Sequence, residues 1–331
     1  MGYAATPTLS GFDFQTNAAI YLMLENIKVM QSIRLEGKED IEIVLIDGEK
    51  ILAQAKAVDE PSKDFSHVTT KLKEALVSLS DTQAKCKKVC QLVYVTNTPK
   101  PFGVRDKSNL FNGGLPTRRS YSELPPKLQQ QVTKILTNNK LSVNTNKLVF
   151  QTIPFDSVDD KEKFKYILEE IREFTSHILK ADISKKDLHT IWCRDLFKSG
   201  TEKRPTINLT KKDIIWPIIV MIIRNEDYRE FDIDVIDEEE ICRDYNRTIN
   251  NYAERFEFVT KVLNSYSLYK STGGSRNKFK SFLDEKIHEF YEYFAEDCIR
   301  PELRDSLLRI IIRNVLVTRW QIDDLKKAAQ L

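Results

Sequence analysis

Histidine and cysteine are scarce in this chain: 331 residues hold four of the first and five of the second. The histidines stand apart at 67, 177, 189 and 288, and no two cysteines form a Cys-x-x-Cys pair, which argues against a zinc site. An odd cysteine count without a secretory leader fits a reducing, cytoplasmic setting, where a buried thiol serves as a small hydrophobe. Long apolar runs are missing too. The longest, Ile214 to Ile223, is interrupted by Pro217 and closed by Arg224, far below the roughly 20 residues a membrane span needs, so no membrane partner is expected. Net charge is nearly absent: 51 Lys plus Arg against 49 Asp plus Glu leaves +2. The chain therefore carries no global signature of nucleic-acid binding, and any basic groove must be local.

What is present is enough apolar residue, 41%, to bury a real core in two domains or one large one. Residues 14 to 30 (FQTNAAIYLMLENIKVM) are apolar nearly all round and predict a helix buried on several sides. Two strand-like runs, Asp40 to Ile46 and Ile51 to Lys56, flank Asp47-Gly48-Glu49 and predict a hairpin. The spacing of Val68, Leu72, Ala75, Leu76 and Leu79 predicts a second helix, and Val89 to Thr96 a strand ending at Asn97-Thr98-Pro99. Residues 101 to 126 are rich in Gly, Pro, Asn and Arg and predict a long loop. A short helix near 127 to 137 and a strand near Lys147 to Ile153 close a first domain, 1–155. Beyond it, 156–331 reads as helical, over about 159 to 181, 184 to 198, 210 to 224, 236 to 268, 276 to 299 and 301 to 328. Thr210 with Asp213, and Pro301, are helix-start signals. Trp192, Trp216 and Trp320 are expected to fill the helical core around the Ile214 to Ile223 helix.

The stretch EGKEDIEIVLIDGEKILAQAKAV, residues 36 to 58, gathers carboxylates at the mouth of the hairpin and sends a lysine along its returning strand. Side chains alternate along a strand, so Gln54 and Lys56 share a face, as do Asp40 and Glu42. A two-residue turn at Asp47-Gly48 puts Asp40 opposite Ala55, on the wrong face. A three-residue turn over 47 to 49, or a bulge of equal effect, puts Asp40 opposite Lys56 and Glu42 opposite Gln54. In that register a carboxylate, an amide oxygen and an ammonium converge. Hard oxygens suit Mg²⁺, which takes few protein ligands and keeps its waters. With a lysine beside it, such a set is equipped for phosphodiester hydrolysis. Taken alone, Glu36, Glu39 and Glu42 read as a solvated edge, and Gln15 as a cap for its helix.

Asp40, then Gln54-x-Lys56 across a hairpin, preceded by a buried helix carrying Gln15, resembles the PD-(D/E)xK nuclease superfamily in a variant with Gln in the last motif. GFDFQTNAAIYLML, EGKEDIEI, LAQAKA and LVYVTN together are similar to the double-stranded DNA endonuclease domain of bacterial CBASS-type and Lamassu-type anti-phage and anti-plasmid systems, over roughly residues 8 to 155. The resemblance implies an α/β restriction-endonuclease-like domain, a mixed sheet flanked by helices, followed by an all-α partner-docking and regulatory domain. It implies Asp40 and Gln54 as ligands of Mg²⁺ or Mn²⁺, Lys56 as catalytic lysine, and Gln15 and Glu36 as helpers. It also implies double-stranded DNA as substrate, with an SMC-like ATPase and an accessory subunit as partners, and activation through those partners or homo-oligomerisation. Gln54 departs from the carboxylate usual at its place and is a weaker ligand. The contrasting expectation is a non-catalytic, nuclease-like adaptor that binds DNA or protein. Lys100, Arg105, Lys107, Arg118 and Arg119 are candidate DNA-contacting residues; Arg276, Lys278 and Lys280 form a second basic spot, read as helix-start solvation.

Overall fold

Helix α1, Thr6–Glu25, has no polar face because it is covered on both sides. Phe14, Ala18, Ala19, Ile20, Leu22 and Met23 are fully buried. One side of α1 lies on the sheet and the other meets helices α5 (Lys165–Ser176) and α6 (Lys185–Thr201). The structure is a computed structural model and describes residues 6–61, 63, 65–103, 108–111, 114–155, 160–176, 183–201, 208–225, 233, 235, 238–270, 275–294 and 301–331.

The helix expected over 14 to 30 absorbs the start of a strand. The chain turns after Glu25, where the Asn26 side chain donates to the Leu22 carbonyl at 2.7 Å and the Met30 amide to the Asn26 carbonyl at 2.8 Å. Strand β1, Met30–Leu35, then begins. No Gly or Pro marks that break, so periodicity alone runs through it. Next come β2 (Ile41–Leu45), β3 (Lys50–Lys56), α2 (Val68–Lys85) and β4 (Val89–Thr96). A strand also forms inside the expected loop: β5, Thr117–Ser120, is a half-exposed edge of sequence TRRS. Its charge, which guards an edge against wrong pairing, also hides it from a hydrophobic reading. Helix α3 (Pro126–Asn138), β6 (Leu148–Thr152) and the short α4 (Asp160–Lys163) follow, and α7 (Lys211–Asn225) comes after α6.

The sheet has seven strands in the order β5-β6-β4-β3-β2-β1-β7, with β7 being Leu209–Thr210. Strands β3, β4 and β6 are parallel, and the remaining pairings are antiparallel. Paired residues point to one side, so the register sorts the faces into rows. Leu52, Leu92 and Leu148 form one row, and Gln54, Tyr94 and Phe150 the next. That face packs on α2 and α3 through Leu72, Leu76, Leu79, Leu128 and Val132. Ala53, Val93 and Val149 point the other way, toward α1.

Two compact units result. One comprises Met1–His177, Ser184–Ile214 and Gln330–Leu331, the other Ile178–Ile183 and Ile215–Ala329. The boundary expected at 155 therefore moves, because α5 and α6 cover the outer side of α1 and belong with the sheet. Trp192, on α6, is fully buried and donates its indole N–H to the Ile214 carbonyl at 3.0 Å.

In the second unit the helix expected over 236 to 268 is three: α8 (Glu238–Asp244), α9 (Asn246–Glu254) and α10 (Phe256–Leu268), with Arg255 extended at φ −79° and ψ 100°. The break lets Tyr252 and Phe258 stack edge to face, at 5.5 Å between centroids. Helix α11, Ser275–Lys286, runs into a 3-10 turn, Ile287–Phe294. The last expected helix divides into α12 (Pro301–Val317) and α13 (Arg319–Ala329). Of the three tryptophans expected in this core, Trp216 is half-buried and Trp320 is 66% exposed. Among the described residues no helix is long and apolar enough to cross a membrane.

Candidate active site

The β2–β3 hairpin sets the site. Its loop has three residues, as the chemistry requires, but they are Ile46, Asp47 and Gly48 rather than 47 to 49. The Leu45 amide donates to the Glu49 carbonyl at 2.8 Å, and the Gly48 amide to the Leu45 carbonyl at 2.9 Å. Gly48 sits at φ +79°, the left-handed conformation that closes such a loop and that glycine adopts without strain. Ile41 then faces Ala53, and one step outward Asp40 faces Gln54 instead of Lys56. The two registers differ by two residues, so the face is conserved: Asp40, Gln54 and Lys56 still lie on the α2 side.

The contacts follow. Gln54 donates its amide N–H to Asp40 Oδ2, and the Ala55 backbone amide donates to the same oxygen at 3.0 Å. Gln15 is well inside α1 and caps nothing. Its side-chain amide reaches Glu36 Oε1 at 2.8 Å and the Asp40 carbonyl at 2.9 Å, tying helix to strand. Glu36 holds a left-handed φ of +49°, unusual for a residue with a side chain.

Glu39 is not the solvated edge its sequence suggests: it is 5% exposed. The Ser78 hydroxyl on α2 stands 3.0 and 2.9 Å from its two oxygens, and Thr82, one turn on, donates to the Lys38 carbonyl at 3.1 Å. Ser78 and Thr82, four apart beside the apolar stripe of α2, were the legible trace of a polar group beneath. Glu42 is buried as well and pairs with Lys50 at 2.5 Å.

Burial pushes the Asp40 carboxyl above its ordinary range, against the Ala55 amide and the Lys56 ammonium, which favour the charged form; Glu36 adds to the rise. Burial likewise raises Glu39, against the Thr82 and Ser78 hydroxyls and Lys56, while Asp40 adds to it. Asp40 and Glu39 thus share the field of one lysine, with Glu36 acting on Asp40. A hard divalent cation relieves such an excess, and the donor set fits one: the Asp40 carboxylate, the Gln54 amide oxygen after rotation of the amide, and Glu36 alongside. Among the described residues no group of three or more His, Cys, Asp or Glu side chains is arranged to hold a metal, so such an ion would keep several waters.

The basic candidates separate. Arg118 pairs with Gln151 across β5 and β6, and the row continues through Val95 to Ala55, on the α1 face. It donates to Glu25 at 3.2 Å, Gln91 at 2.6 Å and Gln151 at 3.4 Å. Arg119 pairs with Phe150 and shares the face of Gln54, three strands away, roughly 14 Å at the usual strand spacing. Lys100 places its ammonium 4.9 Å from the Phe65 ring. Arg105 and Lys107 lie outside the described residues. In the second unit Lys278 sits 4.7 Å over the Tyr266 ring.

The first unit is thus a mixed α/β sheet with helices on both faces and an acid-rich site at its strand ends. No known protein family matches this sequence, and no curated protein or solved structure is significantly similar to it.

Proposed function

We propose that this chain is a metal-dependent endonuclease of PD-(D/E)xK type that hydrolyses phosphodiester bonds in double-stranded DNA, and that it serves as effector in a bacterial anti-phage or anti-plasmid defence complex. The observation that carries the reading is the convergence of Asp40, Gln54 and Lys56 on one face of the hairpin, where Lys56 is the cation acting on both the half-buried Asp40 and the buried Glu39. When bound, Mg²⁺ or Mn²⁺ supplies Lewis-acid neutralisation of phosphate charge and eases deprotonation of water. Asp40 and Gln54 would hold it. Lys56 makes no hydrogen bond or ion pair with the described side chains, so its ammonium is available to a phosphate or to the attacking water. Gln15 anchors Glu36 and the Asp40 backbone, which holds the carboxylate in place.

A competent nuclease endangers its host chromosome, so restraint belongs to the reading. The helical second unit is the segment assigned to docking an SMC-like ATPase and an accessory subunit, with activation through release or oligomerisation. The adaptor reading draws on the Gln54–Asp40 hydrogen bond, which satisfies that carboxylate oxygen without a cation.

The test is plasmid cleavage with Mg²⁺ or Mn²⁺, by the protein alone and with the products of neighbouring genes. Cutting that is lost in both Asp40→Asn and Lys56→Ala supports the nuclease. Duplex binding without cutting under every condition supports the adaptor.

A further inference from the structure

We propose that a cleft beside this site receives a single unstacked nucleobase bearing an exocyclic amino group. The cleft has a volume of about 310 Å³ and lies beyond the carboxyl ends of β4 and β6, where Asn97, Thr152 and Pro154 line it. Open α/β sheets bind ligands at that end of their strands, and the volume is at the small end of ligand sites, which run to about 300–1,000 Å³.

Register connects the cleft to the site. Lys56 pairs with Thr96, and Thr96 with Thr152, so the three side chains form one row across three strand ends. The Thr96 hydroxyl donates to the Lys56 carbonyl at 2.8 Å, closing the row. Two strand spacings put Thr152 about 10 Å from Lys56. That is the reach of a nucleotide turned out of the duplex beside a phosphate held at Lys56. The position of the cleft therefore rests on the nuclease reading; its chemistry does not.

The chemistry comes from the walls. Phe111, Phe155, Leu115 and prolines 61, 99 and 154 present flat or apolar surface, which suits a planar ring. The polar groups are acceptors. Thr152 Oγ1 donates to the Thr117 carbonyl at 3.4 Å, and the Tyr166 hydroxyl to the Gly114 carbonyl, so each presents only lone pairs to the cleft. Asn97 spends both amide hydrogens, on the Val58 and Phe155 carbonyls at 2.9 and 3.0 Å, and its oxygen accepts the Val58 amide at 2.8 Å, leaving one lone pair at most. Glu162 adds a carboxylate that Lys165 pairs at 3.5 Å, and Lys163, over the Phe155 ring, is itself paired with Asp13 at 2.5 Å, so the nearby ammoniums are spent and no described lining residue is cationic. Such a wall offers an anion no free side-chain donor and favours a neutral ring that donates, as adenine, cytosine and guanine do and thymine does not through an amino group.

Two measurements on the full-length protein test this. Adenosine and thymidine are titrated by calorimetry, and a duplex carrying 2-aminopurine near the cut is followed by fluorescence. Adenosine should bind about tenfold more tightly than thymidine, the difference one well-placed hydrogen bond makes, and 2-aminopurine should brighten severalfold on duplex binding. Leu115→Trp fills the cleft from a residue that is 59% exposed; it should lose both signals while keeping the wild-type melting temperature. Tyr166→Phe should narrow the adenosine preference even where the tryptophan variant folds poorly. Lys56→Ala should keep adenosine binding, which separates the cleft from the chemistry. DNA cut by a wild-type protein that neither prefers adenosine nor brightens 2-aminopurine would overturn the cleft and leave the nuclease standing. Adenosine preference without cleavage of any DNA would do the reverse.

Discussion

Gln54 stands directly across the hairpin from Asp40 and donates to the very carboxylate oxygen that also accepts the Ala55 backbone amide. Asp40 is therefore both a candidate ligand and a structural acceptor, and the two roles separate by substitution. Asp40→Ala strands two donors and should lower stability by about 1–3 kcal/mol, whereas Asp40→Asn keeps an oxygen in place. Gln54→Glu sets two carboxylates against each other. In metal-free buffer near pH 8 it should unfold at lower urea than wild type, again by about 1–3 kcal/mol. The deficit should shrink as pH falls and a shared proton returns, and on addition of Mg²⁺ or Mn²⁺. A deficit untouched by either cation would remove Gln54 from the ligand set.

Glu39 supplies a pH signature. Burial raises its carboxyl above the ordinary range, so the folded protein holds this proton where the unfolded chain has released it. That contribution to stability is complete below the unfolded value of about 4.3 and is lost as pH rises through the higher folded value. Glu39→Gln has no proton to lose. Its stability relative to wild type should climb as pH rises from about 4 toward neutrality, as read by urea midpoints at each pH. A constant difference across that window would mean Glu39 is not held above its ordinary range.

The two neighbouring arginines should behave differently. Arg119 lies on the face of Gln54, so Arg119→Ala should reduce the slope of log affinity against log salt on duplex DNA by about 0.9, without altering sequence preference. Arg118 faces α1 and holds Glu25, Gln91 and Gln151. Arg118→Ala should cost about 1 kcal/mol of stability and leave the salt slope unchanged. Equal slopes for both variants would mean the duplex runs along neither.

A truncation series should find the edge of the first unit near Ile214 rather than 155. Residues 1–214 retain α5 and α6 over α1, and the bond from Trp192 to the Ile214 carbonyl. They should unfold cooperatively in urea. Residues 1–155 expose the outer side of α1 and should aggregate or lose near-ultraviolet dichroism. A cooperative transition in the shorter piece would show that α5 and α6 are dispensable.

Strand β4 was legible from end to end and helix α2 by its stripe from Val68 to Leu79, because one is a β-branched run stopped by Asn97-Thr98-Pro99 and the other has helical spacing; the helix runs on to Lys85. Strand β1 was not, since its apolar residues continue those of α1 without punctuation. Nor were the breaks at Tyr245 and Arg255, which no Gly or Pro marks; the second lets Tyr252 and Phe258, on either side of it, stack edge to face.

For the site, the sequence by itself put Gln54 and Lys56 on one face, and left the side taken by Asp40 to the parity of the turn, which the three-residue loop decided. Side chains alternate with period two, so any hairpin register shifted by an even number keeps Asp40, Gln54 and Lys56 together. Tertiary structure decided the partners within that face. A loop over 46–48 instead of 47–49 is a choice of turn closure, and it set Gln54, not Lys56, against Asp40. Tertiary structure also decided burial, because whether a carboxylate is solvated depends on what covers it. Glu39 and Glu36 read alike in sequence, and only the arrival of Ser78 from α2 at one and of Gln15 from α1 at the other gave each its environment.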